Sequence, residues 1–374
     1  MSTRLSSDAL VARFKSDPNR LFSEAERQCL EAAASKNIWA AKAAALQSFR
    51  SNEFDRALPL ILAVAKREPR SENIKNAVVC LRSLARFDEA LDLLKTNQDR
   101  VEPIFYDDLL CSLYLRLGQI EAAIAHGDAA LRIKDAQIPV ISVKRPVLHR
   151  FDPEQRAANV ICFSVWGTDP RYLSGAITNS IVARYLYPGW TARFYADEST
   201  PEEFRRALAR NGAEVVLVRD LPAQRYGLFW RFLAEDDPAV AIFLVRDADS
   251  IMNVKERWAV SDWLKTDAAF HVLRDNPLHS ELMLAGMWGA HRGNIGDMRA
   301  RILQFSESGA KIGNDTTVDQ RFLRTSIWPI ARHSVTIHDS FFNFMEPRQY
   351  SADFALPRGM HIGQNDWIHY VRTG

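Results

Sequence analysis

The hydrophobic pattern of the chain changes near residue 150. Before this point, apolar residues recur at spacings of three and four with few glycines between them, a pattern that predicts amphipathic helices. Ser6, Ser7 and Asp8 supply an N-cap for the first of these helices. After residue 150, short apolar runs that end at polar residues or glycine alternate with helical stretches. We therefore expect an all-α region followed by an α/β domain.

An internal repeat of 33 residues runs through the helical region. The aligned segments are NEFDRAL (52–58), ARFDEAL (85–91) and GQIEAAI (118–124). Each holds an alanine at the same place: Ala57, Ala90 and Ala123. A second set of small or compact residues lies 12 positions earlier: Ala45, Val78 and Cys111. Small residues on both helices let a helix pair cross closely, and the pattern resembles the tetratricopeptide repeat.

This resemblance implies how the first part of the chain is organised. Residues 1–36 would form capping helices, residues 37–135 the repeats, and residues 136–158, with three prolines, a linker. The repeats would either present a concave surface to a peptide or partner protein, or serve as a packing or dimerisation module. Periodicity indicates fold rather than ligand, so both interpretations stay open.

The second part of the chain, residues 159–374, alternates predicted strands with predicted helices. The strands are expected at 159–167, 191–197, 213–220 and 239–249, and the helices at 172–187, 200–211 and 226–234. This alternation predicts a Rossmann-like, mostly parallel sheet. In such sheets ligands bind at the carboxyl ends of the strands.

Composition and charge exclude several classes of function. The chain has 374 residues, of which 48 are basic and 46 acidic, so it lacks the charge excess of a nucleic-acid-binding protein. No apolar run approaches the roughly 20 residues of a membrane helix. The N-terminus has no apolar signal core, and the four cysteines show no CxxC spacing. We expect a cytoplasmic protein, with peripheral binding to the inner face of the membrane left open.

The main candidate for chemistry is the pair Asp247 and Asp249, which ends the fourth predicted strand. Carboxylates at positions i and i+2 of an extended chain point the same way and repel each other. A divalent cation would relieve that repulsion and could hold a diphosphate. The alternative is a pair of turn aspartates that caps the next helix.

His361, followed by glycine near the C-terminus, is a weaker candidate for a third ligand of the cation. His291 and His338 are further candidates held in reserve.

Several motifs, taken in order, resemble the GT-A glycosyltransferases, and most closely the retaining family 8. They are VWGTDPRYL, YGLFWRFL, FLVRDADS, LMLAGMWGA, VDQRFL and HIGQ, all between residues 159 and 367. In that family a D-x-D motif and a C-terminal His-x-Gly hold the manganese ion of a UDP-sugar. The resemblance implies a GT-A-like domain that transfers a sugar of hexose type from a nucleotide donor, expected to be UDP-linked, to a glycan or protein acceptor.

The resemblance also implies roles for particular residues. Mn²⁺, or Mg²⁺ as the alternative, would be held by Asp247, Asp249 and His361, and Asp247 would also lie near the ribose. The uracil and ribose would be bound by Trp166, Asp169 and Tyr172. The donor sugar would lie beside Arg231, Asp319 and Gln320. Gly286 matches the acceptor strand, but the polar residues expected beside it are replaced by Leu284 and Ala285. The family's late lysine is also absent, since Gln364, Asn365 and Asp366 follow the glycine.

Two other functions compete with this interpretation. In a haloacid dehalogenase-like phosphatase, Asp247 would be the nucleophile and Asp249 the acid–base, with Lys311 and residues 313–319 as the later motifs. Such a nucleophile normally ends the first strand of its domain, whereas three strand–helix units precede Asp247. In a non-catalytic adaptor, the repeats would bind a partner beside a degenerate transferase domain.

Overall fold

The structure is a computed structural model that describes residues 6–308 and 317–365. The chain divides into two compact units, Met1–Ile133 and Lys134–Gly374. Lys311, residues 313–316 of the phosphatase-like motif and residues 366–374 lie outside the described residues. The predicted boundaries at residues 36, 135 and 158 stay predictions.

The first unit is built from α-helices. They are α1 (Ser7–Ser16), α2 (Glu24–Ala33), α3 (Ile38–Arg50), α4 (Phe54–Arg67), α5 (Ser71–Ser83), α6 (Phe87–Thr96), α7 (Pro103–Arg116) and α8 (Ile120–Ala136), whose end passes into the second unit. Helix α1 begins directly after Ser6, as predicted. Helix α2 begins with a capping box, in which Ser23 and Glu26 each accept a hydrogen bond from the other's backbone N–H.

The 33-residue period of the sequence is a period of helix pairs. The second helix of each pair begins at Phe54, Phe87 or Ile120, and two residues earlier the backbone is left-handed, with φ of 57° at Asn52, 56° at Ala85 and 73° at Gly118. This left-handed residue ends the first helix and turns the chain into the second. The alanines Ala57, Ala90 and Ala123 are fully buried. The helical repeats are therefore confirmed.

The second unit contains a seven-stranded mixed sheet. Its strands are β1 (Asn159–Val165), β2 (Thr191–Ala196), β3 (Glu214–Leu217), β4 (Ile242–Arg246), β5 (Phe270–Arg274), β6 (Met287–His291) and β7 (Val335–Asp339). They lie in the order β3-β2-β1-β4-β6-β5-β7. The pairings among β1 to β4 and between β5 and β7 are parallel, whereas β6 runs antiparallel to both of its neighbours. An α/β domain is confirmed, and the sheet is mixed.

Helices connect these strands and cover the sheet. The α-helices are α9 (Pro170–Leu186), α10 (Glu202–Arg210), α11 (Ala223–Tyr226), α12 (Val254–Trp263), α13 (Met298–Glu307), α14 (Val318–Phe322) and α15 (Trp328–Ala331). The α-helix predicted at 226–234 is instead a 3-10 helix, Gly227–Asp236, of which most side chains are buried. It starts at Gly227, which lies so close to the ring of Trp166 that a Cβ would be 2.9 Å from a ring atom.

Strand β4 is shorter than predicted. Its five residues, Ile242–Arg246, are all buried, and the chain then turns at Asp247. The predicted strand 239–249 therefore includes a turn at its carboxyl end. Within the described residues, no helix is both long enough and apolar enough to cross a membrane.

Candidate functional site

The candidate site lies where the connectivity of the sheet reverses. Strand β1 pairs with β2 on one side and with β4 on the other, and all three are parallel. The chain moves outward from β1 to β3 and then returns to β4, so β1 and β4 form a topological switch point. Trp166 to Asp169 follow β1, and Asp247 to Asp249 follow β4. Ligands of parallel α/β sheets bind in the crevice at this edge.

Arg231 connects the two strand ends with the later part of the chain. Its backbone N–H donates a 3.0 Å hydrogen bond to Ser164 Oγ on β1. Its Nη1 donates to Asp247 Oδ1, and its Nη2 donates to Asp319 Oδ2 at 2.9 Å. The Arg231 and Asp319 side chains are each only 4% exposed, whereas Asp247 is 41% exposed. Asp247 is therefore the member of this group that faces solvent.

The electrostatics of this group follow from its burial. Burial raises the pKa of Asp319 to about 6, although the Arg231 charge opposes the rise. Burial also works against the charge of Arg231, but Asp247 and Asp319 outweigh it and raise the pKa of that guanidinium. Arg231 Nε has no hydrogen-bond partner among the described residues. The site thus keeps a permanent buried cation beside an exposed carboxylate.

Asp249 forms a second ion pair, with Arg171. Both Nε, at 2.7 Å, and Nη2 of Arg171 donate to Asp249 Oδ2. The Asp249 side chain is 9% exposed and that of Arg171 is 37% exposed. Burial, together with the charge of Asp247, raises the pKa of Asp249, although Arg171 acts in the opposite direction. The repulsion between the two aspartates is therefore relieved by two arginines.

Helix α9 fixes the turn that carries Asp249. A Cβ at Gly175 would lie 2.2 Å from the backbone oxygen of Ala248, so only glycine allows this approach. Asn179 Nδ2 donates to the backbone oxygens of Ala248 and Ser250, at 3.3 and 2.9 Å. These contacts hold the turn against the first half of α9 and bring Arg171 within reach of Asp249.

The residues predicted to bind the nucleotide lie at the same edge. The rings of Trp166 and Tyr172 are nearly parallel, with centroids 6.4 Å apart, and Trp166 is half-buried. Asp169 is the N-cap of α9, where its Oδ1 accepts a 2.9 Å hydrogen bond from the Arg171 N–H. The ribose contact predicted for Asp169 stays a prediction, since the described contact is that of a helix cap.

Gly286 and Gln320 support the two carboxylates of the Arg231 group. A Cβ at Gly286 would lie 2.0 Å from Asp247 Oδ2, so the carboxylate occupies the space that a larger residue would need. The backbone N–H of Gln320 donates a 2.9 Å hydrogen bond to Asp319 Oδ1. Both residues therefore lie beside the site, and their contacts with a donor or acceptor stay predictions.

His361 is held at a different strand end. Its Nδ1 bonds the backbone oxygen of Ile362 at 2.8 Å, and its ring lies 5.1 Å from that of His279. The Ile362 N–H donates a 3.0 Å hydrogen bond to Asp275 Oδ2, directly after β5. Among the described residues, no three His, Cys, Asp or Glu side chains form a group that could hold a metal ion. As placed, Asp247, Asp249 and His361 do not fit a common metal site.

The two histidines held in reserve belong to the core. His338 is fully buried and hydrogen-bonds the ring of His271 at 2.9 Å and Asp262 at 3.2 Å. His291 is also buried and accepts a 3.0 Å hydrogen bond from the His149 N–H. Burial lowers the pKa of His338 and of His291 to about 4, so both rings are neutral at physiological pH.

Sequence reasoning missed Arg171. The sequence does indicate its location, because Arg171 follows a proline that can start a helix and therefore lies in the first turn of the helix after β1. The contact that makes it part of the site joins residues 78 positions apart, which no local pattern indicates.

Comparisons with known proteins do not identify a family or a function for this chain. Neither a protein-family model nor a curated protein matches the sequence. Among solved structures, MamA AMB-1 is 24% identical over 34% of this chain and 78% of that chain, with a TM-score of 0.30. A mutant O-GlcNAc transferase of Thermobaculum terrenum is 16% identical over 66% and 47% of the two chains, with a TM-score of 0.39. A 4-diphosphocytidyl-2C-methyl-D-erythritol synthase of Anaerococcus prevotii is 10% identical over 59% and 96%, at 0.33. Likenesses of this size carry no argument about function.

Proposed function

We propose that the chain is a glycosyltransferase of the GT-A type, which transfers a sugar from a UDP-linked donor to a glycan or protein acceptor. The observation that carries this proposal is the group at the switch point. There, Arg171 and Arg231 pair with the strand-end carboxylates Asp249 and Asp247 beside an aromatic pair. This edge of the sheet is where nucleotides bind in α/β domains, and the charges match an anionic donor.

The residues have separable tasks in this reaction. Trp166 stacks on the uracil. The partly exposed carboxylate of Asp247 accepts hydrogen bonds from sugar hydroxyls. In the transfer, the bond between the anomeric carbon and the diphosphate oxygen breaks, and the electron pair leaves with the diphosphate. The acceptor oxygen bonds the anomeric carbon and gives up its proton to solvent. Arg231, fixed by two carboxylates, stabilises the negative charge that grows on the leaving group.

A divalent cation stays part of the proposal as a prediction. When bound, Mn²⁺ would neutralise charge on the diphosphate, and the resemblance names Asp247, Asp249 and His361 as its ligands. Because these three side chains do not form one group, no step of the proposed transfer depends on the cation. The cation is tested by measuring UDP affinity in Mn²⁺ and in EDTA.

A donor screen by thermal shift, followed by detection of released UDP, tests the proposed function. A ligand present at 100 times its Kd adds about 2.7 kcal/mol to the stability of the folded state, so binding raises the melting temperature. The Asp249→Ala variant is expected to keep its fold and to lose any Mn²⁺-dependent part of UDP binding. A protein that binds no nucleoside diphosphate, or a variant with unchanged Mn²⁺-dependent binding, would contradict the proposal.

The repeats are proposed to bind the acceptor or a partner protein. A cleft of about 510 Å³ in the first unit is lined by apolar side chains such as Phe14, Leu46 and Phe49. Trp39 is 40% exposed in this cleft, and the ammonium groups of Lys15 and Lys42 lie 4.6 and 4.5 Å from its ring. Tryptophan is enriched among the residues that contribute most to binding at protein interfaces, which favours a binding surface here. The cytoplasmic location stays a prediction.

Phosphatase activity is not proposed. Asp247, which would be the nucleophile, follows the fourth strand of the sheet and accepts a hydrogen bond from the buried Arg231. Three strands precede β4 in this unit, whereas the nucleophile of such a phosphatase normally ends the first strand of its domain. Release of phosphate from simple monoesters, without transfer, would reverse this conclusion.

A further inference from the structure

The Arg171 side chain lies at the candidate site but has no task in the proposed transfer. It belongs to the site edge, it is 37% exposed, and its guanidinium contacts Asp249 and lies 5.0 Å from the ring of Tyr172. We propose that Arg171 is a donor-binding residue, which exchanges its bond to Asp249 for a bond to the diphosphate of the donor. This inference rests on the proposed function and adds a residue that the resemblance does not supply.

The position of Arg171 favours a phosphate ligand. It stands in the first turn of α9, a helix of 17 residues that begins at Pro170 directly after the β1 turn. The N-terminus of such a helix carries a partial positive charge and lies where pyrophosphates bind in α/β sheets. Arg231, which is ion-paired with Asp247 after β4, adds a second positive charge at the same edge of the sheet.

The two arginines differ in their freedom to move. Arg231 is held by hydrogen bonds to Asp247, to Asp319 and to the backbone oxygen of Arg246. Within the part of the chain that the structure describes, the Arg171 side chain donates hydrogen bonds to one carboxylate oxygen, Asp249 Oδ2. A guanidinium binds phosphate with the same planar fork that it presents to a carboxylate, so the exchange replaces one charge-assisted contact with another.

One consequence is that Asp249 competes with the donor. While Arg171 is paired with Asp249, the Nε–Nη2 edge of its guanidinium is not available to phosphate, and removal of the Asp249 charge frees that edge. Variants of the two partners should therefore act on UDP affinity in opposite directions when no metal is present.

Calorimetric titration of the full chain with UDP and with uridine, in EDTA, tests the exchange. Arg171→Gln is expected to weaken UDP binding by roughly ten- to a hundredfold, the size of one charge-assisted hydrogen-bonded contact. Its affinity for uridine should be unchanged, because uridine has no phosphate. Arg171→Lys, which keeps the charge but not the fork, should lie between wild type and Arg171→Gln. Asp249→Asn should bind UDP at least as tightly as wild type.

Arg184→Gln is the matched control, since Arg184 is exposed in the last turn of the same helix. It should bind UDP as wild type does. If wild type binds UDP and Arg171→Gln binds it equally well, or if uridine affinity falls as far as UDP affinity, the inference is overturned while the proposed function stands. If wild type binds no nucleoside diphosphate with or without Mn²⁺, the proposed function fails and the inference fails with it.

Discussion

At the scale of single residues, the site is defined by arginines placed between carboxylates. The i and i+2 spacing of Asp247 and Asp249 predicted that something must relieve their repulsion, and that physical argument holds. The sequence suggested a cation, whereas the structure has Arg231 on one carboxylate and Arg171 on the other. Arg231 could be named from the sequence because the motif around it resembles a family. Arg171 could not, because its partner is known only from the tertiary fold.

Removal of Arg231 should be costly. Arg231→Met leaves Asp319, 4% exposed, without its counter-charge, and such losses cost about 3–5 kcal/mol of stability. The double variant Arg231→Met/Asp319→Leu should recover a large part of that loss, since it buries no charge at this position. Unfolding in urea measures both. Arg219→Met, which removes an exposed ion pair with Glu198, is the control and should change stability little. An Arg231→Met protein as stable as wild type would contradict this account of the site.

The buried side chain of His338 should make the free energy of unfolding depend on pH. The pKa of His338 is lowered from its ordinary 6.5 to about 4 by burial, so the folded state disfavours the proton. Its contribution to stability is complete above pH 6.5 and is lost as the pH falls toward 4, with about 2 kcal/mol already lost at pH 5. We expect His338→Gln to show a smaller fall in unfolding free energy between pH 7 and pH 5 than wild type. Equal falls in the two proteins would show that His338 does not titrate in this way.

At the scale of elements, the helices were better predicted than the details of their ends. The 33-residue period correctly locates the second helix of each pair. It can do so because the pairing of these helices depends on local spacing and on buried positions that accept only a small residue. The sequence does not predict the left-handed turn at Ala85, since nothing about alanine favours that conformation. The segment 226–234 was predicted as an α-helix from its apolar pattern, yet most of it forms a 3-10 helix. Its approach to Trp166 is a tertiary contact that periodicity does not contain.

The repeat alanines give a test of helix packing. Ala123 is fully buried, so Ala123→Leu overfills its surroundings and should cost about 1–3 kcal/mol. Ala125 lies in the same helix and is exposed, and Ala125→Leu should leave stability within about 0.5 kcal/mol of wild type. Thermal or urea unfolding, followed by circular dichroism, compares the two variants. Equal stabilities would mean that the alanine period does not report close packing.

At the scale of the whole molecule, the strand order brings distant parts of the sequence together. Residues that follow β1, the 3-10 helix, the turn after β4 and the start of α14 meet at one edge of the sheet. The general rule for parallel sheets predicted that edge from the sequence. The segment of His361 is fixed through Asp275 at the carboxyl end of β5, which runs parallel to β4 because both strands are antiparallel to β6. The rule therefore places this segment at the same edge of the sheet, but it does not group the His361 side chain with the two aspartates.

Hydrogen–deuterium exchange of the full chain, with and without UDP in the presence of Mn²⁺, tests the central claim most directly. The account predicts that UDP slows exchange in 164–172, 227–232, 247–250 and 317–320, the four segments that form the switch-point site. It predicts no slowing in the helix pairs of the first unit. Absence of any protection at saturating UDP, or protection confined to segments away from this edge of the sheet, would contradict it.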